Sequence, residues 1–363
     1  MKTGKLSDAV YGRSVRKKLK KLPETILHGA AGDDCAMFSL GDSSIAGGTA
    51  VITKQILYGG AHCGRYGVYA ACNQAAVSGI LVSAVLLSLM LPKEAPESLL
   101  QQIVEDAQKA GEECGVPVAD VNASVTELVT RPVVTVTALG TAAVGMAVGR
   151  TAAEMASAGA AGMGTAASAK GDKKKVRPGM DVVMTKWAGL EGSAILADVC
   201  RENLLTRYPA YLVDDAAEFD KWLSVSADMQ VILEAQQTYG LEIGSICAAG
   251  ESGIFRALWT LAAQAGAGVE VQLKKIPIRQ ETVEICNHLD LNPYELVSGG
   301  SLLLIAAQGE ALVQELNKAG IAAAVIGNVT DNNDRVIVNG EERRFLEPAK
   351  ADEIFKVTEQ TGC

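Results

Sequence analysis

Two rhythms of apolar and polar positions run through the first half of the chain. Residues 66–78 and 97–115 carry apolar side chains at helical spacing, the second with a polar outer face. Residues 50–56 predict a strand, and residues 82–90 and 132–139 are β-rich apolar runs bounded by Pro and Gly. Such mixing predicts an α+β domain with helices packed on a sheet. A second ordered pattern begins after Pro178 and Gly179. There, residues 191–201, 228–239, 253–265 and 280–289 read as helices. Residues 181–187, 269–273, 301–307, 322–329 and 334–338 read as strands.

Residues 151–175 differ in kind. They are rich in Ala and Gly, poor in large apolar side chains, and close on Lys170, Gly171, Asp172, Lys173, Lys174 and Lys175. By composition this is a linker. The chain therefore divides into an N-terminal domain over 1–150, a linker over 151–177, and a C-terminal domain with its tail over 178–363. No period repeats within it.

At 363 residues the chain suits two cores better than one. A hydrophobic share of 48% and a charged share of 21% are those of a globular protein. The net charge of −9 argues against a nucleic-acid binder, which needs a basic field to displace counterions. The one basic run, Arg16, Lys17, Lys18, Lys20 and Lys21, is interleaved with Leu6, Val10, Val15 and Leu19, which predicts an amphipathic surface helix. Residues 1–21 hold no apolar core of a signal peptide, and the longest apolar stretch, residues 79–92, is too short to span a bilayer. The eight cysteines are scattered without a CxxC pair, so they read as reduced thiols of a cytoplasmic protein. The histidines His28, His62 and His288 share no metal-ligand spacing, and Trp187, Trp222 and Trp259 read as packing anchors.

Six phrases, collinear along the chain, carry a resemblance. They are GAAGDDCAMF (29–38), RPVVTVTALG (131–140), PGMDVVMTKWAGLEGSAILA (178–197), SGIFRALW (252–259), IPIRQETVEICNHLDLNPYELVSGGSLLL (276–304) and AAVIGNVTDNNDRVIVNG (323–340). In this order they resemble the AIR-synthase (PurM-like) superfamily. The nearest branch is that of the hydrogenase-maturation factor HypE, the carbamoyl dehydratase. The resemblance implies an N-terminal α+β domain whose sheet pairs with a second subunit, giving a homodimer, and a C-terminal α/β sandwich. It also implies an ATP site between the domains, with Mg held by clustered carboxylates.

Those carboxylates are mostly missing. The Gly-rich turn and its acids survive as Gly32, Asp33 and Asp34, the remaining candidates for a metal or a phosphate. Where the family has Thr-Asp, this chain has Thr53 and Lys54; where it has Asn-Asp, Asn73 and Gln74 stand. The Gly-Gly-His-Thr-Glu motif falls on residues 120–124, with Asn122 and Ser124, and the His-Asp-x-Thr-x-Gly-Gly motif falls on residues 247–253. All four have lost their acidic ligand. The expectation is a retained fold with degenerate Mg-ATP chemistry, in a protein that acts by binding or by partnering another protein. ATP and Mg enter only if the site is still active.

Two alternatives stay open. Lys54 could stand in for the metal and bind a small anion or nucleotide without a divalent cation, beside Thr53, Asn73 and the Gly-rich turn. Alternatively it reaches solvent or pairs with Asp33 or Asp34. The chain also ends in Cys363, matching the terminal cysteine that the hydrogenase-maturation dehydratases use as carbamoyl acceptor, although their preceding Pro-Arg-Ile is absent. An active ATP-dependent maturation enzyme with Cys363 as acceptor thiol is thus the runner-up. Neither a membrane nor a nucleic acid is an expected partner.

Overall fold

The computed structural model describes residues 8–19, 25–27, 35–38, 49–142, 176–347 and 351–360. Gly32, Asp33, Asp34, the stretch 151–175 and Cys363 lie outside the described residues. The chain divides into two compact units, which meet in sequence between residues 147 and 165.

The N-terminal unit is a sheet with helices. Its strands are β1 (Thr25–Leu27), β2 (Cys35–Phe38), β3 (Thr49–Ile56), β4 (Ile80–Pro92), β5 (Val118–Thr126) and β6 (Val133–Ala142), in the order β1-β2-β3-β6-β4-β5. All neighbours are antiparallel except β4 and β5, which run parallel because a helix connects them. Helix α2 (Cys63–Val77) lies against β3, β4 and β6, and α3 (Glu97–Cys114) packs on α2. Being covered on two sides, α2 is buried almost all round. By contrast α3 keeps one polar face and buries Ile103, Ala107 and Ala110. It starts after the extended Pro96 with Glu97 in its first turn, and stops at Gly115 in the left-handed conformation, φ 69°.

The expected amphipathic helix at the N-terminus takes a different form. Among the described residues it is a four-residue α-helix, α1 (Asp8–Tyr11), followed by a π-turn at Gly12–Arg16. Gly12 is a poor helix former and falls where the regular turns end. Lys17, Lys18 and Leu19 beyond it are exposed.

The C-terminal unit is built on a seven-stranded sheet. Its strands are β7 (Asp181–Thr185), β8 (Ile243–Ala248), β9 (Gly268–Gln272), β10 (Leu302–Ala306), β11 (Ala323–Thr330), β12 (Arg335–Asn339) and β13 (Glu342–Phe345), in the order β13-β12-β9-β11-β7-β10-β8. Helices α4 (Leu190–Val199), α5 (Arg201–Leu205), α6 (Ala210–Ala217), α7 (Ser226–Tyr239), α8 (Gly253–Ala265), α9 (Gln280–Leu289), α10 (Gly309–Lys318) and α11 (Ile354–Gln360) surround it. Val182, Met184, Leu303 and Ile305 form one core with Ile254, Leu258 and Leu261 of α8. The alternate residues Val183, Leu302 and Leu304 are equally buried, so the central strands are covered on both faces.

Polar groups are buried here too. Lys186, just past β7, has φ 54° and is 6% exposed. Its Nζ donates to the carbonyls of Ser224 (2.7 Å) and Gly300 (3.1 Å) and lies 2.8 Å from Oδ2 of the fully buried Asp228. Burial pulls the Lys186 ammonium below its usual range, and Asp228 opposes that pull. Nearby, the rings of Trp187 and Trp222 are 4.9 Å apart, and the Arg279 guanidinium covers both at 5.3 and 5.6 Å. Arg335 lies 3.9 Å over the ring of Trp259.

Candidate functional site

Strand alternation decides which of the sequence-derived site residues can meet. Along β3 the side chains of Ala50, Ile52, Lys54 and Ile56 turn to the face that α2 covers, and those of Val51, Thr53 and Gln55 turn away. Lys54 is half-buried and its Nζ donates to Oε1 of Gln74 on α2 at 3.5 Å, the long end of a hydrogen bond. Gln74 in turn donates from Nε2 to Oγ of Ser78 at 3.4 Å. Asn73, 3% exposed, is its neighbour on the helix. Two of the expected site positions are therefore in contact, as ammonium and amide.

Thr53 is not part of that contact. It is exposed on the other face, with Oγ1 3.4 Å from Oγ1 of Thr137, its partner in register on β6. Asn122 and Ser124 lie on the edge strand β5, paired with Ser88 and Met90 of β4, and both are exposed. With β6 and β4 between them, β3 and β5 are three strand spacings apart, about 14 Å. Lys54 and Asn122 thus share no single coordination sphere within the sheet. Among the described residues no group of three or more His, Cys, Asp or Glu side chains is placed to hold a metal ion. An ammonium and neutral amides do not fit Mg, which takes hard oxygen ligands, chiefly carboxylates.

In the C-terminal unit the motif-matched segment, residues 247–253, leads from β8 into α8. Ser252 and Gly253 both have positive φ, 65° and 67°. The Ser252 N–H, at the start of α8, donates to Oδ2 of Asp352 at 2.5 Å. Val297 N–H donates to Oδ1 of the same carboxylate at 3.2 Å, and so does Ile354 N–H at 2.9 Å. Asp352 escapes a motif-based reading. Its one sequence signal is an acid just ahead of the apolar turn of α11, the pattern of a helix start. Burial raises its carboxyl from 3.8 to about 7, with the three backbone donors pulling down and Glu251 pushing up.

The N-terminal domain model of the AIR synthase related proteins matches residues 32–142, and the C-terminal domain model matches residues 177–339. The chain belongs to the AIR synthase-related family. The carbamoyl dehydratase HypE of Rhizobium leguminosarum bv. viciae is 24% identical over 341 residues, covering 91% of this chain and 87% of the relative. A crystal structure of the hydrogenase maturation protein HypE in complex with ATP superposes with a TM-score of 0.63 at 18% identity, covering 88% of this chain and 89% of that one. HypE in a HypE–HypF complex gives a TM-score of 0.61 at 16% identity, covering 87% and 93%. The two-domain PurM-like fold of this AIR synthase-related protein is thus that of HypE. No helix among the described residues is long and apolar enough to cross a membrane.

Proposed function

We propose that this AIR synthase-related protein keeps the HypE-like scaffold without Mg-ATP chemistry and works as a binding or partner protein. The observation that carries the reading is the Lys54–Gln74 contact. Two positions matched to family acids hold an ammonium and an amide in contact. Lys54 repels a divalent cation, and the Ser252 N–H at the start of α8 is occupied by the chain's own Asp352. Losing one well-placed stabiliser of transition-state charge costs about 10²–10³ in rate, so the loss of several removes turnover.

Isothermal titration with ATP, in Mg and in EDTA, tests this. The wild type is expected to show no Mg-dependent binding. Lys54→Asp with Gln74→Asp is expected to raise Mg-dependent nucleotide affinity, because each change adds a hard oxygen ligand and one removes a repelling charge. Tight Mg-ATP binding by the wild type would overturn the reading. It would favour instead a HypE-like carbamoyl dehydration with Cys363 as acceptor thiol, a reading supported by the similarity to a carbamoyl dehydratase. Phosphate or nucleotide binding that persists in EDTA and vanishes in Lys54→Met would favour the metal-independent anion site.

The protein works as a homodimer through the N-terminal sheet. The support is the apolar surface that the sheet exposes: Leu81 and Met90 of β4, Val125 of β5 and Leu128 just beyond it are 53%, 48%, 63% and 91% exposed. Light scattering at micromolar concentration should give twice the chain mass of 37.8 kDa. Val125→Asp should shift the population towards monomer. A monomeric mass for the wild type would end the proposal.

A further inference from the structure

Residues 351–357 lie as a strap against the turn into α8. They fall beyond residues 177–339, the stretch that the C-terminal family model matches. Asp352, Glu353, Ile354, Phe355 and Val357 are each no more than 7% exposed, while Lys356 faces solvent. The two acids fasten the strap through backbone groups. Asp352 takes the N–H groups of Ser252 and Val297, and Oε2 of Glu353 accepts from the Asn292 N–H at 3.0 Å. The Glu353 N–H donates to the carbonyl of Glu295 at 3.4 Å. A backbone N–H reads a carboxylate and nothing else of the chain that carries it.

The walls beneath the strap are joined without it. The Ser298 N–H donates to the carbonyl of Gly250 at 3.1 Å, and the Phe255 N–H to that of Tyr294 at 3.2 Å. The rings of Phe255 and Tyr294 stack with centroids 5.3 Å apart. Each contact ties the 250–255 turn directly to the 294–298 loop. The strap, by contrast, docks against opposition. Burial and Glu251 together raise the Asp352 carboxyl to about 7, despite its backbone donors, so its anion is poorly suited to the place. Another segment of the same chemistry can displace it.

We propose that this groove is a docking site for an acidic–apolar segment of a partner protein, occupied here by the chain's own strap. The proposal rests on the partner-protein reading above and names its surface. The fitting segment has two adjacent carboxylates followed at once by apolar side chains on a helical turn, the chemistry of Asp352, Glu353, Ile354 and Phe355. The strap is then an intrachain competitor. Its tether gives it a high local concentration, which a partner segment must overcome.

The probe is a fluorescein-labelled peptide of residues 351–360, titrated into the full chain and followed by anisotropy, without metal or nucleotide. The wild type should bind it weakly, because the tethered strap competes. Phe355→Asp in the chain removes the strap's apolar anchor and leaves the groove unchanged, so it should bind the probe about tenfold or more tighter. A probe carrying Asp352→Lys with Glu353→Lys should not bind. Should Phe355→Asp fail to fold, hydrogen exchange of the wild type decides. The amides of Ser252, Asn292 and Val297 should exchange through one shared opening, well before those of β7 and β10. Excess peptide should slow these three and speed Ile354, whose N–H leaves with the strap. A folded Phe355→Asp that ignores the probe, or wild-type amides that open only with global unfolding, would overturn the proposal. So would a dimer mass that the same variant loses, which makes a second copy the occupant. Because neither ATP nor Mg is present, Mg-ATP binding by the wild type would strike the parent reading and leave this result standing.

Discussion

Replacing Lys186 with Met should cost the C-terminal unit about 3–5 kcal/mol, because it leaves the Asp228 carboxylate buried without its counter-charge. The substitution also strands the carbonyls of Ser224 and Gly300, which now accept from Nζ. Backbone strain does not confuse the comparison, since Lys and Met are equally unsuited to a φ of 54°. Oδ1 of Asp228 finds no hydrogen-bond donor among the described residues, so nothing nearby takes over the charge. Urea denaturation is the measurement. The double variant Lys186→Met, Asp228→Leu should recover at least half of the loss, because two apolar groups replace two ions. A loss below about 1 kcal/mol in the single variant would show that the ion pair is not the fastening it looks like.

Asp352 should have a comparable effect with a pH signature. In Asp352→Ala, the N–H groups of Ser252, Val297 and Ile354 lose their acceptor in a buried place, at about 1–3 kcal/mol each. The pH dependence follows from the direction of the shift. The folded-state value, about 7, lies above the unfolded value, so the folded state holds the proton more tightly. The resulting stability is fully present below about pH 4 and is lost as pH rises through about 7. The groups around it are Glu251, which pushes the value up, and Glu353, itself bonded to Lys356 and to the N–H of Asn292. Measured against Asp352→Asn, the wild type should gain stability as pH falls from 8 to 5. A difference that stays flat across that range would count against the buried, late-titrating carboxyl.

Much of the fold was legible because burial and periodicity agree. The expected strand at residues 50–56 is β3, and the helix expected at 97–115 is α3; the first alternates and the second has one polar face. Strand β5 was missed for a physical reason. It is the sheet edge, exposed on both sides, so nothing in Val118–Thr126 alternates. Strand β8 was missed because Gly244 and Ser245 interrupt its apolar run. Helix α10 carries Leu312, Val313 and Leu316 at helical spacing, a pattern as legible as that of α3.

The candidate site was legible only in part. Lys54 stood out as a charge of the wrong sign, yet its contact with Gln74 depends on which face of β3 meets α2, a tertiary fact. The same alternation separated Thr53 from Lys54, which adjacency in sequence had grouped. Asp352 showed only as a helix start because its two distant partners, on Ser252 and Val297, are backbone N–H groups, and a backbone group has no residue identity to read.

All three tryptophans, Trp187, Trp222 and Trp259, sit in the C-terminal unit, two of them in near-contact under one guanidinium and the third beneath another. The molecule is therefore optically one-sided. Indole fluorescence reports the packing of the C-terminal unit, while the N-terminal unit contributes only tyrosine. Selective excitation of indole should follow the Lys186 and Asp352 variants directly, and far-ultraviolet dichroism should sum both units.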